Sequence, residues 1–137
     1  ISNKMEEYIE LFKKYPEQFP PGYFRFLKKS LQKHLDDNTL IFKHNVLLTW
    51  KVYKRNTKRY KKGDVKIAQI INKYPGSGEA TLLMNEFILK YPHLKLEVRN
   101  DNPRAIRFYK KLGFFKIEDI FFGKKFPGMV MEFGINQ

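Results

Sequence analysis

The sequence predicts a single α/β domain, and three observations carry that prediction. Leu94, Leu96 and Val98 alternate with Lys95, Glu97 and Arg99, the period-two pattern of a strand with one buried face. Asn102 is a good N-cap and Pro103 a good first helical residue, and Ala105, Ile106, Tyr109 and Leu112 then recur at helical spacing. Gly113 follows as a helix stop, with Phe114 opening another strand. A chain of 137 residues is one domain by length, and 42 % hydrophobic residues, with 13 Phe and 8 Tyr, suffice for a sizeable core.

The remaining elements follow in chain order. Residues 3–15 read as an amphipathic helix whose apolar face is Met5, Tyr8, Ile9, Leu11 and Phe12, ended by Pro16. Pro20-Pro21-Gly22 punctuates. Residues 22–36 read as a second helix with Phe24, Leu27, Leu31 and Leu35 inward and Arg25, Lys28, Lys29 and Lys33 outward. Residues 39–43 and 46–55 read as an antiparallel pair turned at His44-Asn45, with Leu48, Trp50 and Val52 on one face and Thr49, Lys51 and Tyr53 on the other. A strand through Val65, Ile67, Gln69 and Ile71 leads to a Gly-rich turn and a helix that buries Leu83, Met84, Phe87 and Ile88. Residues 114–122 and 125–133 form a closing strand pair. The order is α-α-β-β-β-α-β-α-β-β.

Bulk properties narrow the chemistry. The chain has no Cys, which excludes disulfides, thiolate zinc sites and a Cys nucleophile. His34, His44 and His93 have no ligand spacing, so no metal is expected. No apolar run approaches the roughly 18 residues of a membrane span, and Ile1-Ser2-Asn3-Lys4 has no signal-peptide character. The expectation is a cytoplasmic protein with no membrane partner. The net charge of +13 favours anionic partners such as coenzyme phosphates, nucleic acid or acidic protein surfaces. An AT-rich genome gives the same balance, because Lys, Ile, Asn, Phe and Tyr then rise together.

The run Glu97-Val98-Arg99, then Asn102-x-x-Ala105-Ile106-x-x-Tyr109-x-x-Leu112-Gly113-Phe114, resembles the C-terminal signature of GNAT-superfamily N-acetyltransferases. Its nearest likeness is to the amino-terminal and ribosomal-protein alanine acetyltransferases, and it extends over residues 64–114. The resemblance implies the GNAT fold, a mixed and mostly antiparallel sheet flanked by helices, with the family's usual first strand upstream of Ile1 or absent. It also implies acetyl-CoA as co-substrate and direct transfer of the acetyl group to a primary amine in a ternary complex.

The turn Lys73-Tyr74-Pro75-Gly76-Ser77-Gly78-Glu79-Ala80 stands where GNAT proteins carry Gln/Arg-x-x-Gly-x-Gly/Ala around the coenzyme pyrophosphate. A glycine turn before a helix is a natural oxyanion site, because backbone N–H groups point at the ligand. A nucleotide P-loop would need Gly-Lys-Ser/Thr, and Gly78 is followed by Glu79-Ala80. Two registers fit, Lys73-x-x-Gly76-x-Gly78 and Pro75-x-x-Gly78-x-Ala80. Counting three, four, seven and eight residues on from Ala80 gives Leu83, Met84, Phe87 and Ile88, all apolar, which favours the second register. Pro75 then replaces the family's Gln or Arg, with Lys73 as the neighbouring cation, and Glu79 suits the helix dipole but not a pyrophosphate.

The resemblance further assigns Ala68, Gln69 and Ile70 to the strand whose backbone meets the pantetheine arm and polarises the thioester carbonyl. It makes Tyr109 the proton donor to the departing thiolate, Glu97 the general base, and Asn102 and Ala105 coenzyme contacts. Tyr109 has a second reading as a core aromatic, and Glu97 reads equally as a surface carboxylate. The acceptor is a protein amine, a small amine or an aminoacyl-tRNA. A second reading rests on Lys51, Lys54, Arg55, Lys58, Arg59, Lys61, Lys62 and Lys66, interleaved with Tyr53 and Tyr60. Such a patch suits nucleic acid, with rings for stacking, and equally suits a solvated hairpin tip.

Overall fold

The computed structural model describes residues 3–14 and 23–134, and the side chains from residue 4 and from residue 26 onward in these two stretches. The expected breaks at Pro16 and Pro20-Pro21-Gly22, and the facing of Phe24 and Arg25, lie outside the described residues. The elements are α1 (Asn3–Lys13), α2 (Tyr23–Asp36), β1 (Leu40–Lys43), β2 (Val46–Val52), β3 (Val65–Asn72), α3 (Glu79–Lys90), β4 (Leu94–Arg99), α4 (Pro103–Leu112), β5 (Phe114–Phe122) and β6 (Phe126–Phe133). Their order is the one the sequence predicts. The strands form a six-stranded sheet in the order β1-β2-β3-β4-β6-β5. β1/β2, β4/β6 and β5/β6 pair antiparallel and β3/β4 parallel, so the sheet is mixed and mostly antiparallel.

Packing divides the chain into two units, one reaching to Trp50 and including Ala68–Leu83, the other made of Lys51–Ile67 and the chain from Met84 onward. In the first, Met5, Tyr8, Ile9 and Phe12 of α1 pack with Leu27 and Leu31 of α2, Leu47 of β2 and Ile71 of β3. Each fully buried side chain of this size contributes about 1.5–3 kcal/mol of transfer free energy. Leu35 is exposed rather than inward, because it lies in the last turn of α2, just before the chain reverses at Asn38 (φ +58°). β2 departs from the expected alternation, since Val46, Leu47, Leu48, Thr49 and Trp50 are all buried while Val52 is exposed. A strand covered on both faces shows no period of two.

In the second unit β4 runs antiparallel to β6, from Lys95↔Glu132 to Arg99↔Gly128. Lys95, expected on the solvent face, is buried against Asp64 at 2.7 Å. Gly128 allows the strands to approach, because a Cβ there would meet the Val98 carbonyl oxygen at 2.6 Å and the Phe122 ring at 2.5 Å. Helix α4 begins and ends as its sequence dictates. The Asn102 side chain accepts the Ala105 N–H at 3.3 Å, Pro103 is the first helical residue, and Gly113 closes the helix at φ +110°.

Candidate active site

The Gly-rich turn belongs to the first unit. Gly76 and Gly78 adopt φ of +86° and +83°, which only glycine takes without strain, and both face open space. The Leu82 N–H makes the first intrahelical bond, to the Gly78 carbonyl at 3.1 Å. The N–H groups of Ala80 and Thr81 therefore precede the helical ladder, as an anion cradle requires. Leu83, Met84 and Phe87 are buried while Leu82 is exposed, the phase expected by counting from Ala80.

Two side chains alter this cradle. Glu79 opens α3, and its carboxylate accepts from Asn45 Nδ2 at 2.8 Å and from Ser77 Oγ at 3.1 Å; the same Ser77 Oγ accepts the Glu79 N–H at 3.3 Å. An anion is thus already built into the helix N-terminus. The Lys73 ammonium pairs with Glu7 of α1 at 3.2 Å, and its amide N–H donates to the Asn45 carbonyl. The pair leaves Lys73 and Glu7 33 % and 57 % exposed, so solvent screens it.

In the Ala68-Gln69-Ile70 stretch of β3 the Gln69 N–H donates to Thr49 Oγ1 of β2 at 3.0 Å. The buried Thr49 hydroxyl in turn donates to the Gln69 side-chain carbonyl.

Glu97, Asn102, Ala105 and Tyr109 belong to the second unit. The Tyr109 ring is buried against Phe108 and Phe114, with centroids at 5.3 and 5.7 Å. Its hydroxyl has no hydrogen-bond partner among the described residues. Burial holds the phenol well above the usual tyrosine range, and it stays protonated at neutral pH. Glu97 Oε2 accepts from the Tyr60 hydroxyl and lies 3.6 Å from the Lys66 ammonium, while Oε1 has no partner among the described residues. Asn102 uses only its side-chain oxygen as a cap.

The sequence profile of the acetyltransferase (GNAT) family matches residues 6–114. The chain belongs to the GNAT acetyltransferase family. A Pyrococcus horikoshii protein of known structure superposes with a TM-score of 0.70 at 17 % identity, over 100 % of this chain and 94 % of its own. A Bordetella pertussis protein assigned to the GnaT-family acetyltransferases superposes with a TM-score of 0.65 at 11 % identity, over 96 % of this chain and 90 % of its own. The NatC complex bound to Gag peptide and CoA gives 0.54 at 18 % identity, over 67 % and 62 %. At these identities the likeness shows the fold. No curated protein matches the chain in sequence.

In this GNAT chain the expected catalytic and coenzyme-binding residues divide by unit. Ala68, Gln69, Ile70, Lys73, Gly76, Ser77, Gly78, Glu79 and Ala80 lie in the first, and Glu97, Asn102, Ala105 and Tyr109 in the second. Two residues that hydrogen-bond to the expected site residues escaped sequence reasoning. Thr49 gave no signal, because it sits in a strand buried on both faces. Tyr60 was read as an exposed ring within the basic segment, yet Tyr53 and Tyr60 are buried and stacked on each other at 4.4 Å. Neither ring is available for a nucleobase. Lys54, Arg55, Lys58, Lys61 and Lys62 are exposed, and Arg59 pairs with Glu118 at 3.1 Å.

Proposed function

We propose that this GNAT protein acts as one catalytic domain that transfers the acetyl group of acetyl-CoA to a primary amine by direct attack in a ternary complex. Glu97 removes a proton from the acceptor ammonium. The freed amine attacks the thioester carbonyl carbon, a C–N bond forms and the C–S bond breaks. Tyr109 gives its proton to the departing thiolate and is reprotonated as the nitrogen loses its second proton. The amide, coenzyme A and one proton leave.

The observation that carries the reading is Tyr109, a buried ring whose hydroxyl has no partner among the described residues, on a helix capped at both ends. A donor held in place by packing, with its proton retained at neutral pH, is what an acid needs to meet a thiolate as it forms. The turn Lys73–Ala80 supplies the pyrophosphate cradle, with Lys73 turning from Glu7 to the phosphate. Ala68, Gln69 and Ile70 supply backbone to the pantetheine arm, and Asn102 and Ala105 line the coenzyme. The Glu97 to Phe114 signature makes an alanine-initiated protein N-terminus the first acceptor to try, before small amines and aminoacyl-tRNA. The CoA and peptide of the NatC neighbour support that order.

Calorimetric titration and thermal shift with acetyl-CoA test the reading. A ligand at 100 times its Kd raises stability by about 2.7 kcal/mol, a rise of several degrees in Tm. An unchanged Tm at saturating acetyl-CoA would remove it.

A further inference from the structure

The segment before β3 carries the excess of positive charge, yet its two tyrosines turn inward. Tyr60 is fixed on several sides. Its N–H donates to Thr57 Oγ1 at 2.9 Å and its carbonyl accepts the Thr57 N–H at 2.7 Å. Tyr53 covers its ring at 4.4 Å, and the Lys66 and Lys95 ammonium groups lie 5.6 and 5.8 Å from its centroid. Asp64 anchors the end of the same segment, accepting from Lys95 at 2.7 Å and from the Lys61 N–H at 2.9 Å. What this scaffold delivers is one hydroxyl, donated to Glu97 Oε2.

We infer that Tyr60 is a positioning residue for the acetyl-transfer reaction, holding Glu97 by Oε2 so that Oε1 is presented to the acceptor amine. The inference rests on the reading of Glu97 as base. A carboxylate on a strand can rotate about its last torsion, and a base must sit within about 2.6–3.2 Å of the proton it takes. A fixed donor on one oxygen removes that rotation and dedicates the other oxygen to the substrate. Lys66 sits at 3.6 Å, outside hydrogen-bond range, so the directional contact is Tyr60's. The phenol is a permanent donor, since burial and then its bond to Glu97 hold it far above the usual tyrosine range. The charged and titratable groups around the pair are Lys66 of β3, Lys95 of β4, and Tyr53, Arg59 and Asp64 of the basic segment.

The test is Tyr60→Phe, which keeps the ring and its stack and removes the hydroxyl, beside Glu97→Gln. The readout is the split of kcat from KM with acetyl-CoA and an alanine-initiated peptide. Tyr60→Phe lowers kcat about tenfold and leaves KM for acetyl-CoA unchanged. A kcat equal to wild type overturns the inference. Full activity in Glu97→Gln instead overturns the reading of Glu97 as base, and the two failures are thereby told apart.

Discussion

The Lys95 ammonium lies 2.7 Å from the Asp64 carboxylate, and each side chain keeps only 10 % of its exposure. Asp64 also accepts the Lys61 N–H at 2.9 Å, and its carbonyl accepts the Tyr53 N–H at 2.9 Å, so one residue ties the basic segment to β4. Removing one partner of a buried pair leaves the other uncompensated, and Lys95→Met is expected to cost about 3 kcal/mol in denaturant unfolding. The double variant Lys95→Met with Asp64→Asn should recover part of that loss.

The same pair sets an acid response. Burial raises the Asp64 carboxyl, but the bonds from Lys95 and the Lys61 N–H outweigh it and hold it below the usual range. A depressed folded value means the contribution is present above the unfolded value of about 3.9 and is lost as pH falls through the folded one. Stability measured from pH 5 downward should therefore fall more steeply in wild type than in Asp64→Asn.

Tyr109→Phe keeps the buried ring and removes only the unpartnered hydroxyl. The fold and acetyl-CoA affinity should be unchanged, while kcat drops by about 10²–10⁴, the usual contribution of a general acid. Because burial raises the phenol, no alkaline loss of activity should trace to Tyr109 up to about pH 10, its ordinary value. An alkaline limb below that pH which disappears in Tyr109→Phe would count against the assignment.

Glu79 sits at the first position of α3, bound by Asn45 and Ser77. Glu79→Gln keeps one acceptor oxygen, turns the other into an NH2 donor, and removes a negative charge from the proposed phosphate cradle. The helix loses about 0.3–1 kcal/mol of dipole stabilisation. Acetyl-CoA affinity, read by calorimetry, should rise severalfold, and more at low ionic strength. A weaker affinity would mean that Glu79 serves the coenzyme rather than opposing it.

Glycine positions differ in what they require. A Cβ at Gly128 would meet a backbone carbonyl at 2.6 Å, so Gly128→Ala should cost at least about 2 kcal/mol by urea unfolding. At Gly76 nothing lies within 4 Å, and Gly76→Ala should cost only the left-handed backbone strain of about 1–2 kcal/mol.

Signals that act over a few residues were legible in advance. The caps at Asn102 and Gly113, the phase of α3 from Ala80 and the order of ten elements all depend on local backbone geometry and on the period of apolar residues. Lys95 and the Tyr60 hydroxyl went the other way, because what meets them, Asp64 and Glu97, lies 31 and 37 residues off in the chain.

The sequence by itself therefore determined the element order through short-range spacing, and the family through the residue identities from Glu97 to Phe114. Only the tertiary structure decided what Glu97, Gln69 and Lys95 touch: Tyr60, Thr49 and Asp64, which stand 37, 20 and 31 residues away. A buried carboxylate, amide or ammonium must find a partner once water is removed, and the fold alone sets which distant side chain stands within reach.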